Sequence, residues 1–275
     1  MNVRKIFIIT IIAVCVFAIV YGMYLLIAGT NSKSLNNRLN DNNNIQSEIA
    51  NFDELFDNNI NYQNFTFRSE YKMDTSKELV YTVYTQNQEY EGKYNINVKL
   101  PYININNLKI NDINKEIILT FAQKVQSIMA NADKENAKNT IYTVEYTAFL
   151  NENILSLVIR ATLKEGNNAQ RVIVKAYTYN LSSNEEISLK TMLEIKGLDQ
   201  VAVSSKIREV IQESVEKNTN LAALGYNVFQ RDINSDIYQL ENSNNYLLGP
   251  NETIYIIYAY GNTRYTSEKD IVVIE

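Results

Sequence analysis

Thr253-Ile254-Tyr255-Ile256-Ile257-Tyr258-Ala259-Tyr260 is the stretch of this chain that decides its fold. At a strand's period of two, Ile254, Ile256 and Tyr258 fall on one face, and Tyr255, Ile257 and Ala259 on the other. Both faces are apolar, so the segment is expected to be a central strand covered on both sides. Around it, Ile237 to Leu240, Tyr246 to Leu248 and Ile271 to Ile274 read as further strands. Upstream, a polar turn at Ser182-Ser183-Asn184-Glu185 precedes a short helical piece from Leu189 to Leu193. Asp199 then begins an amphipathic helix with Val203, Ile207, Val210, Ile211 and Val215 on one face.

Earlier still, three strand-like stretches follow one another: Thr140 to Leu150, Ile154 to Leu163 and Arg171 to Asn180. Asn151-Glu152-Asn153 and Glu165-Gly166-Asn167-Asn168 are suitable hairpin connections, which gives an antiparallel meander. A helix packed on one of its faces is expected from Ile113, Ile117, Phe121, Val125 and Ile128, capped by Asn111 or Asp112. Two strands come before it. The first includes Leu79 to Thr85, and the second carries Tyr94, Ile96, Val98 and Leu100 and is expected to stop at Pro101. Phe52-Asp53-Glu54-Leu55-Phe56 reads as a short helix. This order fits an α+β fold of antiparallel sheets with packed helices better than a βαβ repeat.

The N-terminus carries a different signal. Arg4 and Lys5 are followed by an apolar run from Ile6 to Ala28 that contains no charge. At 1.5 Å per residue such a run crosses a hydrocarbon core of about 30 Å. It is longer than the apolar region of a typical cleaved signal peptide, and bulky Leu26 or Ile27 would stand where a cleavage site wants a small residue. The expectation is one uncleaved transmembrane helix over residues 6–29, with residues 1–5 cytoplasmic by the positive-inside rule and the rest outside. Residues 30–75 read as a polar, Asn-rich stalk and linker, and residues 76–275 as the extracytoplasmic domain.

Composition excludes several chemistries. The chain has 26 basic and 31 acidic residues, no His and one Cys, Cys15, inside the apolar run. Ser-His-Asp catalysis, Cys-His catalysis and zinc sites built on His or Cys therefore have no residues to work with. Without Arg4 and Lys5 the basic count is 24, so the outer part carries a net charge of about −7. That balance disfavours nucleic acid and favours basic partners. No cofactor is expected.

Individual suspects are few. Asp232-x-Asn234-x-Asp236 has the opening spacing of a calcium loop, but Ile237 stands where glycine belongs and Ser243 where a bidentate Glu belongs, so it reads as a polar turn. Ser156 lies between Leu155 and Leu157 with no identifiable base. Glu268 and Asp270 share a strand face and could act as a carboxylate pair, although a solvated turn is the expectation. The tyrosines are the best candidates for ligand contact. Tyr258, Tyr260, Asn262 and Tyr265 are the cluster expected to touch a partner, because the Gly261-Asn262 turn should bring some of them to an edge.

Tyr94-Asn95-Ile96-Asn97-Val98-Lys99-Leu100-Pro101 leads into Lys109-Ile110-Asn111-Asp112-Ile113-Asn114, and later come Asn153-Ile154-Leu155-Ser156-Leu157, Thr178-Tyr179-Asn180-Leu181 and Ile187-Ser188-Leu189. Tyr258-Ala259-Tyr260-Gly261-Asn262 and Thr266-Ser267-Glu268 follow. Together, over about residues 76 to 275, these resemble the paired extracytoplasmic domain of lysozyme-responsive anti-sigma factors, which is also an accessory region in some peptidoglycan deacetylases. The resemblance implies two small packed halves, about residues 76–180 and 181–275, and a lysozyme-binding surface. Residues 1–5 offer no sigma-binding segment, and neither a deacetylase catalytic domain nor its His ligands are present. The expected role is therefore a membrane-anchored binding module for lysozyme, another basic protein or peptidoglycan, and not an enzyme. A wall hydrolase or transferase working with carboxylates alone, and a structural part of an envelope complex, are the alternatives.

Overall fold

The computed structural model describes residues 51–63, 72–134 and 138–275. The apolar run at 6–28 and the first part of the expected stalk lie outside the described residues. Among the described residues no helix is long and apolar enough to cross a membrane.

The larger sheet is built from β1 (Ile60–Gln63), β2 (Val80–Tyr90), β3 (Tyr94–Ile103), β4 (Thr140–Asn151), β5 (Ile154–Glu165), β6 (Arg171–Asn180) and β7 (Glu185–Glu186). Its order is β2-β3-β4-β5-β6-β7, with β1 also pairing β4. The meander β4-β5-β6 is antiparallel, as the hairpin connections predict. The other edge of β4 is divided between two parallel partners. Tyr94–Val98 of β3 pair with its first half, and Ile60–Gln63 of β1 with its last four residues. One βαβ crossover is thus embedded in a sheet that is antiparallel apart from these two pairings, because the helical segment between β3 and β4 is long enough to return the chain to the same end.

That segment comprises α1 (Leu108–Ile117), a π-helical turn (Ile118–Ala122) and α2 (Gln123–Asn131). It begins earlier than expected. The cap is Asn107, whose side chain accepts the Lys109 N–H at 2.8 Å. Ile113, Ile117, Phe121 and Val125 recur every four residues, a spacing that drifts around a 3.6-residue helix, and the wider π turn absorbs the drift. Ile110, Ile117, Phe121, Val125 and Ile128 are buried against the sheet, and Ile113 is half-buried. Pro101 lies within β3 and does not end it. The pairing with β4 has stopped at Val98, so a residue without an N–H is tolerated there.

The smaller sheet has the order β10-β9-β8, from β8 (Tyr246–Leu248), β9 (Ile254–Ala259) and β10 (Lys269–Ile274). β9 is central and buried along its whole length. Its faces divide as the alternation predicts. Ile254, Ile256 and Tyr258 pack with α3 (Leu189–Ile195) and α4 (Gln200–Ala223), while Tyr255, Ile257 and Ala259 pack on Val158, Val172, Val174 and Ala176 of the larger sheet. The result is four layers: helix, large sheet, small sheet, helices. Asp199 caps α4, as its position in the sequence suggests.

Two expectations need correction. Ile237 to Leu240 form no strand. The chain makes 3-10 turns at Asp236–Tyr238 and Leu240–Asn242, with Leu240 buried, Tyr238 half-buried against the core and Ser243 bonded back to the Gln239 carbonyl. The folded unit also begins before residue 76. Phe52 is fully buried between the sheets, and Asp53 is ion-paired both to Arg160 of β5 and to Lys269 of β10.

Candidate functional site: a cleft on the small sheet

The site builds outward from one buried ion cluster. Arg231 follows α4 in an irregular stretch, and its guanidinium is 4% exposed. It donates from Nε to Asp270 Oδ2 at 2.6 Å, from Nη2 to Asp270 Oδ1 at 3.0 Å, and from Nη1 to Glu268 Oε2 at 2.9 Å. Asp270, 2% exposed, also accepts from Ser214 Oγ at 2.9 Å and from the Tyr260 hydroxyl. Glu268 accepts the Phe229 N–H at 2.6 Å and Asn218 Nδ2 at 3.1 Å. Every carboxylate oxygen in the cluster is thus engaged, which is what a buried charge requires.

Aromatic rings close the cluster. The Phe229 ring stacks on Tyr260 at 4.3 Å between centroids, and the Arg231 guanidinium lies 4.8 Å from the centre of the Tyr260 ring. The Tyr238 hydroxyl lies 2.9 Å from that of Tyr260. Burial, with the Asp270 charge beside it, pushes the Tyr260 hydroxyl far above the ordinary range of a phenol. Burial alone would lower Arg231, but bonding to Asp270 outweighs it and raises the guanidinium above its usual value.

This cluster pins two loops. The segment 227–230 and the segment 264–268 become facing walls of an open cleft of about 560 Å³, completed by Ala169 and Gln170. Its lining includes Gln170, Asn227, Gln230, Arg264, Tyr265 and Ser267, together with Phe229 and the partly exposed Glu268, so it offers amides, a hydroxyl, one cation, aromatic rings and one carboxylate. Tyr265 is 58% exposed, with the Arg171 guanidinium 5.7 Å from the ring centre.

The four residues expected to meet a partner are therefore split. Tyr258 and Tyr260 are buried in the core beneath the cleft and do not reach an edge. Asn262 is used by the fold. Its side chain accepts the Val174 N–H at 2.9 Å and donates to the Val174 carbonyl at 3.0 Å, covering the outer edge of β6. Gly261 beside it is obligatory, since a Cβ there would stand 1.9 Å from the Val172 carbonyl oxygen. Only Tyr265 faces the cleft. Glu268 and Asp270 are not a solvated turn; they belong to the buried cluster. Arg231, Phe229, Gln170 and Asn227 were missed by sequence reasoning. The signal that could have found them is the long irregular stretch after α4, with one Arg closing the otherwise neutral run from Gly225 to Arg231.

The remaining suspects are structural. Ser156 Oγ lies 3.1 Å from Thr178 Oγ1 and accepts the Leu248 N–H at 3.2 Å, tying the two sheets together. Asp232 accepts the Asn234 N–H at 3.0 Å in a local turn. Among the described residues no group of acidic, His or Cys side chains is placed to hold a metal ion.

No family model matches the chain, and no curated protein matches it in sequence. Among solved structures, a DUF3298 family protein from Pseudomonas aeruginosa is similar at 10% identity, with a TM-score of 0.36, over 70% of this chain and 85% of its own. A DUF3298 member from Bacteroides fragilis is similar at 13% identity, with a TM-score of 0.39, over 66% of this chain and 81% of its own.

Proposed function

We propose that this chain is a membrane-anchored extracytoplasmic binding module that recognises a cell-wall polymer through the cleft between residues 227–230 and 264–268. The observation that carries this reading is the division of labour at the site. Arg231 and Asp270 are consumed in holding the walls, Glu268 is held by Arg231, Asn218 and the Phe229 N–H although it reaches the cleft, and the other polar groups that face solvent are those of recognition. Side-chain amides, a hydroxyl and an exposed aromatic face suit a sugar or peptide chain of peptidoglycan, whose hydroxyls and amides want planar partners and whose apolar faces want a ring. Glu268 and Asp270, the pair that a carboxylate-only wall hydrolase would draw on, are both bonded to Arg231, and Asp270 is buried away from the cleft, which supports a structural use of the pair.

A second reading keeps lysozyme or another basic protein as the ligand, as a decoy or as the receptor half of a sensor. The outer charge of about −7 favours it by long-range attraction. The two readings part on salt. Attraction to a basic protein weakens as the Debye length falls from about 10 Å at 0.1 M to about 3 Å at 1 M, whereas stacking and amide contacts persist.

Full-length chain in detergent micelles, titrated calorimetrically with soluble peptidoglycan fragments and with lysozyme at low and high salt, tests both. Salt-insensitive binding of the fragments is expected, with the fragments recovered intact by mass spectrometry. Cleaved or modified fragments would establish the enzyme alternative, and binding of neither ligand would leave a structural role in the envelope.

A further inference from the structure

A second concave site lies at the opposite chemical extreme. At one end of the large sheet a hollow of about 290 Å³ is lined by Lys93, Lys124, Lys134 and Lys138, with Glu165 the one carboxylate among its lining residues. The four lysines come from separate places: the β2–β3 turn, α2, the segment after α2, and the segment before β4. Lys124 is committed, its Nζ 2.7 Å from Glu165 Oε1. The other three ammonium groups meet no carboxylate within ion-pair distance among the described residues. Local charge is therefore opposite in sign to the chain's net −5.

The backbone holds this arrangement in place. Thr140 is buried at the base of the hollow. Its N–H donates to the Lys93 carbonyl at 2.9 Å and its hydroxyl to the Lys138 carbonyl at 2.9 Å, so one residue sets both lysines. Asn139 accepts the Gly166 N–H at 2.8 Å, which draws the β5–β6 turn alongside. Gly166, at φ +55°, lies against the Lys138 stem, and a Cβ there would sit 3.4 Å from the Lys138 Cβ. The stem is thus confined while its ammonium group stays in solvent. Ser127 and Asn131 add neutral donors to the rim.

We infer that this hollow is a binding site for a phosphate-bearing anion. Like charges converging on one concavity repel each other, and a multiply charged oxyanion relieves that repulsion while accepting several N–H bonds at once. The volume is about ten times the roughly 30 Å³ that one water occupies in the liquid, room for more than one phosphate group. Lysine, a flexible point charge, suits such a ligand without demanding a single geometry. The site shares the β5–β6 turn with the cleft of the proposed function, Glu165 lining the one and Ala169 and Gln170 the other, but uses different side chains and stands independently of that reading.

The test is calorimetric titration of the full-length chain in non-ionic micelles with inorganic pyrophosphate, and with succinate as a dicarboxylate, at low salt. Saturable 1:1 binding of pyrophosphate is expected, weakened at least tenfold in the double variant Lys134→Gln/Lys138→Gln. Lys134→Arg/Lys138→Arg should retain it within threefold, and Lys217→Gln, an exposed lysine on α4, should leave it unchanged. Far-UV circular dichroism checks that each variant is folded. No binding at millimolar pyrophosphate, equal loss in the Lys217 variant, or tighter binding of succinate than of pyrophosphate would overturn the assignment.

Discussion

Arg231 is the residue on which the cleft depends. Its removal would leave the buried Asp270 carboxylate, and the partly exposed Glu268 beside it, without a cation, and breaking a buried pair from one side costs about 3–5 kcal/mol. Arg231→Ala should lose that much in urea denaturation, and a loss below about 1 kcal/mol would contradict the cluster's structural role. Asn262 teaches a related lesson. In the sequence its polar side chain beside a glycine reads as a surface turn ready for a ligand. In the fold its amide does the work of a neighbouring strand on Val174, as Asn245 does on the Ala176 N–H. Nothing local distinguishes an Asn that binds a ligand from one that covers a sheet edge. The difference lies in a partner 88 residues away in sequence. The same distance hid Arg231, whose anionic partners lie 37 and 39 residues downstream.

Elements were far more legible, because periodicity is a local property and these segments are long. The faces of β9 and the meander β4-β5-β6 follow the apolar spacing, and α4 follows it through Val203, Ile207, Val210 and Ile211, after which Ser214 and Asn218 take the buried face and Val215 is only half-buried. Burial of β9 on both faces predicts that Ile256→Ala, at a fully buried position, costs about 2–5 kcal/mol. Val201→Ala on the exposed side of α4, where the side chain is 73% exposed, should cost well under 1 kcal/mol. Thermal unfolding of the two variants side by side checks this contrast, and equal losses would mean the small sheet is not covered on both sides. The cap of α4 belongs to this scale as well. Asp199 accepts the Val201 N–H at 2.9 Å, so Asp199→Ala should lower stability by about 1 kcal/mol. What the sequence hid here were pairings. A short strand such as β1 carries too few residues to show a period, and the parallel register of β1 and β3 on β4 depends on where the chain returns, which no local pattern encodes. Ile237 to Leu240 failed for the opposite reason: a short apolar run in an irregular stretch imitates a strand.

At the scale of the whole molecule, burial of tyrosine ties stability to pH. The hydroxyls of Tyr142, Tyr177, Tyr246, Tyr258 and Tyr260 are all pushed above a phenol's ordinary value, with burial the largest cause in each. An unfolded chain releases these protons near pH 10. Because the folded values are the higher ones, the contribution to stability is complete below about pH 10 and is lost as pH rises beyond it. Cooperative alkaline unfolding is expected, with tyrosinate absorbance rising at the same midpoint as the loss of far-UV dichroism; gradual titration with the fold intact would contradict it. The function proposed for the molecule rests on the pinned cleft, and Tyr265 is its one large exposed ring. Calorimetric titration of peptidoglycan fragments into wild-type and Tyr265→Ala chains is the most direct test. The account predicts saturable binding that weakens at least about tenfold, or about 1.4 kcal/mol, in the variant at unchanged thermal stability. Equal affinity of the two chains would contradict it.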